Sequence, residues 1–367
     1  MQNRMLNVFC GGRRAGRLAE TPERVLAFEY DADWLSSGFS ISPFNMPLEK
    51  RVFIAPAVPF GGNFGVFNDS LPDGWGRLLV DRLLLKKQID PKSVSLVDRL
   101  AIVGTTGTGA LEYQPAEDFV SGCGSMLDLD VFAMEVKRIQ ADKDSDDLEK
   151  MVRGSGSSNG ARPKMFWHDA GGSEWLVKFP AHNDSENIGK LEFDYMAAAK
   201  LAGLTVPETR LLNGKYFAVR RFDRKADGSK IFMISAAGLL DADHRNPILD
   251  YSHLTHAALE LTRDFREVEK VFRLMCFNVF SHNRDDHAKN FSFLYDNGRW
   301  QVSPAYDLVY NTGIGITQEH ATMIDGEGCC PTEKHILSVA QKAGMERRRA
   351  EGIMNEVEAA IKKCLKF

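Results

Sequence analysis

Several features are scarce in this sequence, and each absence narrows the class of protein. The six cysteines form no Cys-x-x-Cys pair, so neither a disulfide framework nor a zinc site is indicated. No run of about 18 apolar residues is long enough to span a membrane, and the N-terminus has no apolar segment of the signal-peptide type. We therefore expect a cytoplasmic protein with reduced thiols and no membrane partner.

An excess of positive charge is also absent. The formal net charge is −4, from 46 Lys and Arg against 50 Asp and Glu, which argues against nucleic acid as the main partner of the whole surface. The local basic run 347–349 leaves two explanations open, a DNA contact or a solvated helix face. With 367 residues, the chain has room for two or three domain-sized units.

The distribution of apolar runs and glycine predicts three segments. Residues 1–120 form an N-terminal subdomain, residues 121–150 a linker or helical connection, and residues 151–367 the last and largest segment. Strands come before helices in this last segment. The order predicts an α+β protein of two lobes, with a β-rich N-terminal subdomain and a mainly helical C-terminal lobe.

Local patterns predict individual elements in the last segment. Two β runs at 163–167 and 174–179 flank a turn with two glycines and predict a hairpin. A second hairpin is predicted at 291–302, because its turn contains Asn-Gly, the strongest short hairpin signal. Helices are predicted at about 187–202, from about 264 onward and at 346–366, and a strand at 215–222.

Three polar residues around the second hairpin have the order of a kinase-type site. Asp285 lies five residues before Asn290, and Asp307 follows the hairpin. In such a site one carboxylate accepts the proton of the substrate hydroxyl, and an amide and a second carboxylate hold Mg²⁺. A polar turn would explain the first two alone, and a helix N-cap would explain Asp307. The three together, with Lys178 upstream, favour phosphoryl transfer.

Lys178, Glu192 and His287 are candidates for supporting roles. Lys178 lies inside an apolar strand, so its amine must reach solvent or meet an anion such as ATP phosphate. Glu192 is expected either to pair with Lys178 or to be an ordinary exposed helix residue. For His287 we expect packing and a hydrogen bond that hold its loop, with general base and metal ligand as alternatives.

The segment 154–160 contains three glycines and three serines and is predicted to be a flexible loop. Its backbone N–H groups, at Ser157, Ser158, Asn159 and Gly160, are expected to approach phosphates. The pattern matches neither a P-loop nor the usual GxGxxG loop of eukaryotic kinases. A serine next to a γ-phosphate site is also a candidate phosphate acceptor.

Five stretches together resemble the HipA family, the serine/threonine kinase toxins of bacterial toxin–antitoxin pairs. They are Phe67–Gly76, Ser157–Lys164, Val219–Arg224, Asn283–Phe293 and Pro304–Leu308. The resemblance implies a protein-kinase-like fold, with ATP and Mg²⁺ as cofactors and transfer of the γ-phosphate to a protein serine. It implies that Asp285 is the base, that Asn290 and Asp307 bind Mg²⁺, and that Lys178 binds phosphate.

The same resemblance implies further features of the site. Backbone groups of Arg220 and Phe222 would bind adenine. Autophosphorylation in the loop, which switches the kinase off, would fall on Ser157. Two neighbouring serines, Ser155 and Ser158, leave the acceptor open.

The partners implied by the resemblance are proteins and, indirectly, DNA. They are a helix-turn-helix, HipB-like antitoxin, operator DNA bound through the antitoxin complex, and a protein substrate such as an aminoacyl-tRNA synthetase. Two other functions stay open on the sequence: a phosphotransferase acting on a small molecule, and a non-catalytic pseudokinase or repressor subunit. The loop serines argue against the first, and the intact set of Asp285, Asn290, Asp307 and Lys178 argues against the second.

Overall fold

The structure is a computed structural model that describes residues 5–117, 128–156, 160–313 and 318–365. Its contacts divide the chain into two compact units. The first consists of residues 1–189 and 211–233, and the second of residues 190–210 and 234–367. In the described ranges no helix is long and apolar enough to cross a membrane.

The first unit begins with an antiparallel sheet of strand order β4-β3-β2-β1-β5. Alternation of side chains explains its buried face: Leu6, Val8 and Cys10 of the first strand point inward while their neighbours are more exposed. The strands are β1 (Met5–Cys10), β2 (Arg13–Glu20), β3 (Leu26–Tyr30), β4 (Val52–Ile54) and β5 (Leu111–Gln114).

Helices connect and follow these strands in the first unit. They are α1 (Ala32–Ser37), α2 (Gly65–Asn68), α3 (Gly74–Lys86), α4 (Leu96–Val103), α5 (Leu129–Gln140) and α6 (Leu148–Ser155). Apolar faces of α3, α5 and α6 pack in one core, where Leu79, Phe132 and Met151 are fully buried. Their three- and four-residue spacing of apolar side chains is that of amphipathic helices.

A second sheet of the first unit packs on the same core. Its strand order is β6-β7-β9-β8, with β6 (Lys164–His168), β7 (Glu174–Lys178), β8 (Thr209–Leu212) and β9 (Tyr216–Arg220). Strands β6 and β7 form the expected antiparallel hairpin, and β7 also pairs with β9. Met165, Trp175 and Val177 are buried in the core, so the opposite face of these strands carries Lys164, Leu176 and Lys178.

The second unit is mainly helical. Its elements are α7 (Ile188–Leu201) and β10 (Phe232–Ser235), which both begin at the boundary, α8 (Ala236–Leu240), α9 (Tyr251–Thr262), α10 (Phe265–Phe280), β11 (Ser292–Asp296), β12 (Arg299–Val302), α11 (Glu333–Lys342) and α12 (Arg347–Cys364). The predicted hairpin at 291–302 is confirmed, with Asn297 and Gly298 both at positive φ in its turn.

Helix α10 places the chain at the candidate site. Asp264 caps its start by accepting from Arg266 N–H at 2.9 Å. Buried residues at three- and four-residue spacing, among them Val268, Phe272 and Met275, fix it in the helical unit. The helix ends at Phe280, and the loop that contains Asp285 follows at once.

Candidate active site

The loop after α10 is held by Asn290. A short 3₁₀ turn covers Ala288–Asn290, and the Asn290 N–H donates to the carbonyl of His287 at 2.8 Å. The side-chain amide nitrogen of Asn290 donates to the carbonyl of Asp285 at 2.7 Å. This bond fixes the amide plane and directs its oxygen, the atom a hard cation prefers, away from that carbonyl.

The segment that carries Asp307 is attached to this loop on both sides. The hydroxyl of Tyr306 donates to the carbonyl of Lys289 at 2.6 Å and lies 2.6 Å from the hydroxyl of Ser292. Downstream, the Asn311 N–H donates to the carbonyl of His282 at 3.0 Å. The hairpin β11–β12 therefore returns the chain to the loop of Asp285 and Asn290, as the sequence pattern predicted.

Asp307 itself has a left-handed backbone, with φ of +57°. Residues other than glycine adopt this conformation at a cost, and Asp and Asn adopt it most readily. Such strain persists where the surrounding contacts fix the backbone, and it is common at functional sites.

A buried polar network supports the loop from below. Asp286 is 1% exposed, and its carboxylate accepts from the Tyr251 hydroxyl at 2.7 Å and from the Ala321 N–H at 2.9 Å. The His320 Nδ1 lies 3.0 Å from the same carboxylate. Burial, and then the charge of Asp286, raise the pKa of Tyr251 well above its usual value. Asp286 is thus a structural anchor beside the half-buried Asp285.

The network continues to the end of α10. Asn278 donates to the Tyr251 hydroxyl at 2.9 Å, and Asn283 donates to the Asn278 side-chain oxygen at 3.0 Å. The ring of His287 packs against that of His244, with the ring centres 5.4 Å apart; its role in holding the loop stays a prediction. Its Nδ1 is buried and meets no hydrogen-bonding partner among the described residues.

In the first unit, the structure adds a residue that the sequence did not single out. Lys178 is 8% exposed and Lys164 is 3% exposed, and they lie directly opposite each other on β7 and β6. The Lys178 Nζ lies 5.6 Å from the ring centre of Phe217. Two buried cations side by side are stable only with negative charge nearby. The hairpin register, once predicted, would have revealed Lys164.

The structure corrects two expectations about the loop 154–160. Gly154 and Ser155 belong to α6 and are buried rather than flexible. The Ser155 hydroxyl donates to the carbonyl of Lys164 at 2.9 Å and accepts from the indole of Trp75 at 3.2 Å. Ser155 is therefore wrong as an alternative phosphate acceptor, because its hydroxyl is buried and occupied.

The second correction concerns Gly160. Its N–H donates to the Asp73 carboxylate, so this donor is not offered to a phosphate. Ser157, Ser158 and Asn159 lie outside the described residues, and their roles stay predictions.

Glu192 and the predicted adenine-binding residues are placed but not tested. Glu192 is 2% exposed, so the alternative of an ordinary exposed helix residue is wrong, while its pairing with Lys178 stays a prediction. Arg220 ends β9, opposite Trp175, and Phe222 lies in the turn that follows. Their contact with adenine also stays a prediction.

The candidate metal ligands are too few to hold a metal ion by themselves, and they suit Mg²⁺ that is also bound by a nucleotide. Among the described residues, no cluster of three or more His, Cys, Asp or Glu side chains could hold a metal. Asn290 and Asp307 offer an amide and a carboxylate oxygen, and Mg²⁺ is commonly bound by one or two carboxylates with its other ligands from phosphate and water. The residues present therefore fit a metal that arrives with a nucleotide.

Fold and site together define a class, the kinase-like α+β proteins. Comparison with known families gives the member of that class. The model of the HipA N-terminal domain matches residues 6–114, and the model of the HipA-like C-terminal domain matches residues 156–365. The chain belongs to the HipA family.

Individual relatives agree with this assignment. "Putative kinase Y4dM" of Sinorhizobium fredii is 29% identical over 156 residues, 38% of this chain and 37% of that protein. "Putative kinase Y4mE" of the same organism is 25% identical over all of this chain and 93% of its own length. Among solved structures, HipA in the complex of Shewanella oneidensis HipA, HipB and operator DNA shares the fold. It has a TM-score of 0.72 and 19% identity, covering 98% of this chain and 89% of that one.

Proposed function

We propose that this protein is an ATP- and Mg²⁺-dependent serine/threonine protein kinase and the growth-inhibiting toxin of a toxin–antitoxin pair. The observation that carries the proposal is the geometry of the loop. The Asn290 side chain donates a hydrogen bond to the carbonyl of Asp285. Tyr306, which precedes Asp307, donates one to the carbonyl of Lys289. Membership of the HipA family and the kinase names of two relatives support it.

The residues have separate roles in this proposal. Asp285 accepts the proton of the substrate hydroxyl. The hydroxyl oxygen forms a bond to the γ-phosphorus of ATP while the bond from that phosphorus to ADP breaks. Mg²⁺, held by Asn290 and Asp307, would neutralise charge on the phosphates. Lys178 and Lys164 supply positive charge to ATP phosphate. Backbone groups of Arg220 and Phe222 bind adenine, and Glu192 orients Lys178.

Regulation is proposed to act through the loop. Ser157, with Ser158 as the alternative, accepts a phosphate from ATP. A phosphoserine adds about −1.5 to −2 charges at neutral pH next to a site built for phosphate. Repulsion from ATP and competition for the lysines would both lower nucleotide affinity, so the modification is self-inhibitory.

The partners are proposed from the family. The solved relative from Shewanella oneidensis was crystallised with HipB and operator DNA. We propose a HipB-like antitoxin for this chain, operator DNA bound through that complex, and a protein substrate of the aminoacyl-tRNA synthetase class.

The substitution Asp285→Asn tests the function. It keeps the side-chain shape and removes the proton acceptor, so we expect phosphoryl transfer to fall by about 10²–10⁴-fold with the fold intact. Purified wild type and variant are incubated with Mg²⁺ and ATP and analysed by mass spectrometry, with Asp296→Asn in the hairpin as control. Wild-type product on a small molecule alone would favour the small-molecule phosphotransferase, and no transfer at all would favour the pseudokinase.

A further inference from the structure

Two adjacent cysteines of the helical unit lie with their sulfur atoms side by side at the surface. The Sγ atoms of Cys329 and Cys330 are 3.8 Å apart, with Cys330 exposed and Cys329 half-buried. One carboxylate oxygen of Glu327 accepts from both backbone N–H groups, from Cys329 at 2.8 Å and from Cys330 at 3.0 Å. We call Cys329 and Cys330 the dithiol. Glu327 thus fixes the backbone of both residues where their thiols meet.

Three further cysteines of the described residues are differently placed. Cys10 and Cys276 are buried, and burial raises the pKa of both thiols, that of Cys10 to about 12, so they are inert. Cys364 is exposed at the end of α12. An accessible thiol with a second thiol beside it is the arrangement in which oxidation leads to a disulfide, and the dithiol has that arrangement.

A tight turn connects the dithiol to the segment that contacts the catalytic loop. The chain reverses at Asp325–Gly326, both at positive φ. Ile324 and Glu327 on either side exchange backbone hydrogen bonds of 2.9 and 3.2 Å. Gly328, which directly precedes the dithiol, accepts from the His320 N–H at 2.8 Å. The dithiol therefore follows a bond that joins the two arms of this turn.

The other arm of the turn holds the backbone on both sides of the proposed base. The Ala321 and Thr322 N–H groups donate to the buried Asp286 carboxylate at 2.9 and 3.2 Å. The Ala321 N–H also donates to the carbonyl of Arg284 at 3.1 Å. Asp285 lies between these two acceptors in the sequence, so a displacement of this arm displaces Asp285 as well.

We propose that the dithiol is a site of reversible oxidation by a peroxide, and that its disulfide form weakens the proposed kinase. The Cys330 thiolate attacks one peroxide oxygen, the O–O bond breaks, water or an alcohol leaves, and Cys330 becomes a sulfenic acid. The Cys329 sulfur then attacks the sulfenic sulfur. The S–S bond forms, the S–O bond breaks, and the hydroxyl leaves as water with the Cys329 proton. The thiols lose two electrons, which the peroxide gains.

The surroundings of the two thiols set this order of attack. Cys330 is the more exposed of the two, so a peroxide meets it first. The contact with Cys330, followed by the carboxylates of Glu319 and Glu327, raises the pKa of Cys329. Cys329 therefore keeps its proton until it attacks the sulfenic acid.

Formation of the disulfide must distort the backbone of the dithiol. An S–S bond is about 2.05 Å long, and the Cα atoms of bridged cysteines are usually about 4.4–6.8 Å apart, whereas adjacent Cα atoms are only about 3.8 Å apart. The peptide between Cys329 and Cys330 therefore has to twist as the sulfurs approach each other. This twist opposes the two bonds to Glu327 and the neighbouring bond from His320 to Gly328. Strained disulfides are readily reduced by thiols, so the modification is reversible.

The test uses the full chain, treated with hydrogen peroxide and afterwards with dithiothreitol. We expect mass spectrometry of non-reduced digests to show a disulfide between Cys329 and Cys330. We expect kcat to fall by about 10–100-fold and the KM for ATP to change less than about threefold, because displacement of a catalytic group by about 1 Å costs up to about 10²-fold in rate. Dithiothreitol should remove the disulfide and restore kcat.

Cys330→Ser and Cys364→Ser are the matched variants. Cys330→Ser preserves the size of the side chain but prevents the disulfide, so it should retain its activity in peroxide. Cys364→Ser removes an exposed thiol outside the dithiol and should lose activity as the wild type does. Hydrogen exchange of peptides that cover 282–290 is measured before and after oxidation, independently of activity. Faster exchange after oxidation in the wild type and Cys364→Ser, but not in Cys330→Ser, would support the inference.

Three results would overturn it: no disulfide between Cys329 and Cys330 in peroxide, a disulfide with unchanged exchange and kcat, or an equal loss of activity in Cys330→Ser. The effect on the kinase rests on the proposed function. If the reduced wild type transfers no phosphate, the proposed function fails, while disulfide mapping and hydrogen exchange still decide whether the dithiol is oxidised and whether it displaces the loop. Should Cys330→Ser fail to fold, Cys329→Ser provides the same comparison, because either serine prevents the bond.

Discussion

At the scale of single residues, Asp307 combines a strained backbone conformation with a proposed role as a Mg²⁺ ligand. Its left-handed φ of +57° costs most side chains about 1–2 kcal/mol, and less for Asp and Asn. Asp307→Asn should therefore keep stability within about 0.5 kcal/mol, while Asp307→Ala should lose about 1 kcal/mol. Both should lose most Mg²⁺-dependent transfer, because a charged oxygen ligand is gone. Thermal unfolding and activity over a Mg²⁺ titration are the measurements, and an Asn variant with normal Mg²⁺ dependence would contradict the metal role.

The same scale shows what the sequence could predict of the site. The order of Asp285, Asn290 and Asp307 could be recognised because only one loop and one hairpin separate them, and the Asn-Gly turn is a strong signal for that hairpin. The sequence did not reveal Lys164, because its position opposite Lys178 depends on the register of two strands. It did not reveal Asp73, because Asp73 contacts Gly160, which lies 87 residues away in the sequence. The Ser155 prediction failed for a related reason: the local composition is that of a loop, whereas the Ser155 hydroxyl is buried by contacts with Trp75 and Lys164.

At the scale of elements, the turn after β9 is held by a buried charge cluster. Asp223 accepts from Arg221 at 2.7 Å and from Arg224 at 2.9 Å. Burial alone would raise the pKa of Asp223, but the two guanidinium groups outweigh it and lower the pKa to about 2. Arg224 also donates to the carbonyls of Gly107 and Gly109, so the cluster joins β9 to the loop before β5.

The pKa of Asp223 has a direct consequence for acid stability. Because the folded value lies below the ordinary value of about 4, its stabilisation is complete above pH about 4 and is lost as pH falls toward 2. The shift corresponds to about 2 kcal/mol. We expect Asp223→Asn to lose this dependence and to be destabilised by about 3 kcal/mol at neutral pH, since two buried arginines lose their shared partner. The free energy of unfolding is measured in urea between pH 3 and 7. If it falls with decreasing pH as steeply in the variant as in the wild type, the assignment is contradicted.

Element boundaries followed local signals closely where these were strong. Helix α7, predicted at about 187–202, covers Ile188–Leu201, and Gly203 with φ of +80° follows its end. The C-terminal helix, predicted at 346–366, covers Arg347–Cys364 in the described range. The compact units of the structure are set by contacts between distant segments, which carry no local mark in the sequence. The segments 1–120, 121–150 and 151–367 stay predictions.

At the scale of the whole molecule, the proposed toxin should act on growing cells. We expect expression of the chain without an antitoxin to slow growth, and the Asp285→Asn variant to leave growth unchanged at equal protein level, because the effect requires phosphoryl transfer. Growth rate and the appearance of a new phosphoprotein are measured together. Slow growth with both proteins would mean that toxicity does not come from the kinase.

The path of the chain between its two units limits how the molecule can be cut. The chain passes from the first unit to the second at residue 190, returns at 211 and leaves again at 234. Strand β9, which pairs with β7, therefore lies beyond the first crossing. A fragment that stops at residue 189 would lack β9, the strand that pairs with β7. The edge of β7 would then be exposed, and an exposed strand edge promotes aggregation. Each unit is built from two separate stretches of the chain, so no single cleavage separates one complete unit from the other. Limited proteolysis should therefore not yield two fragments that each correspond to a folded unit.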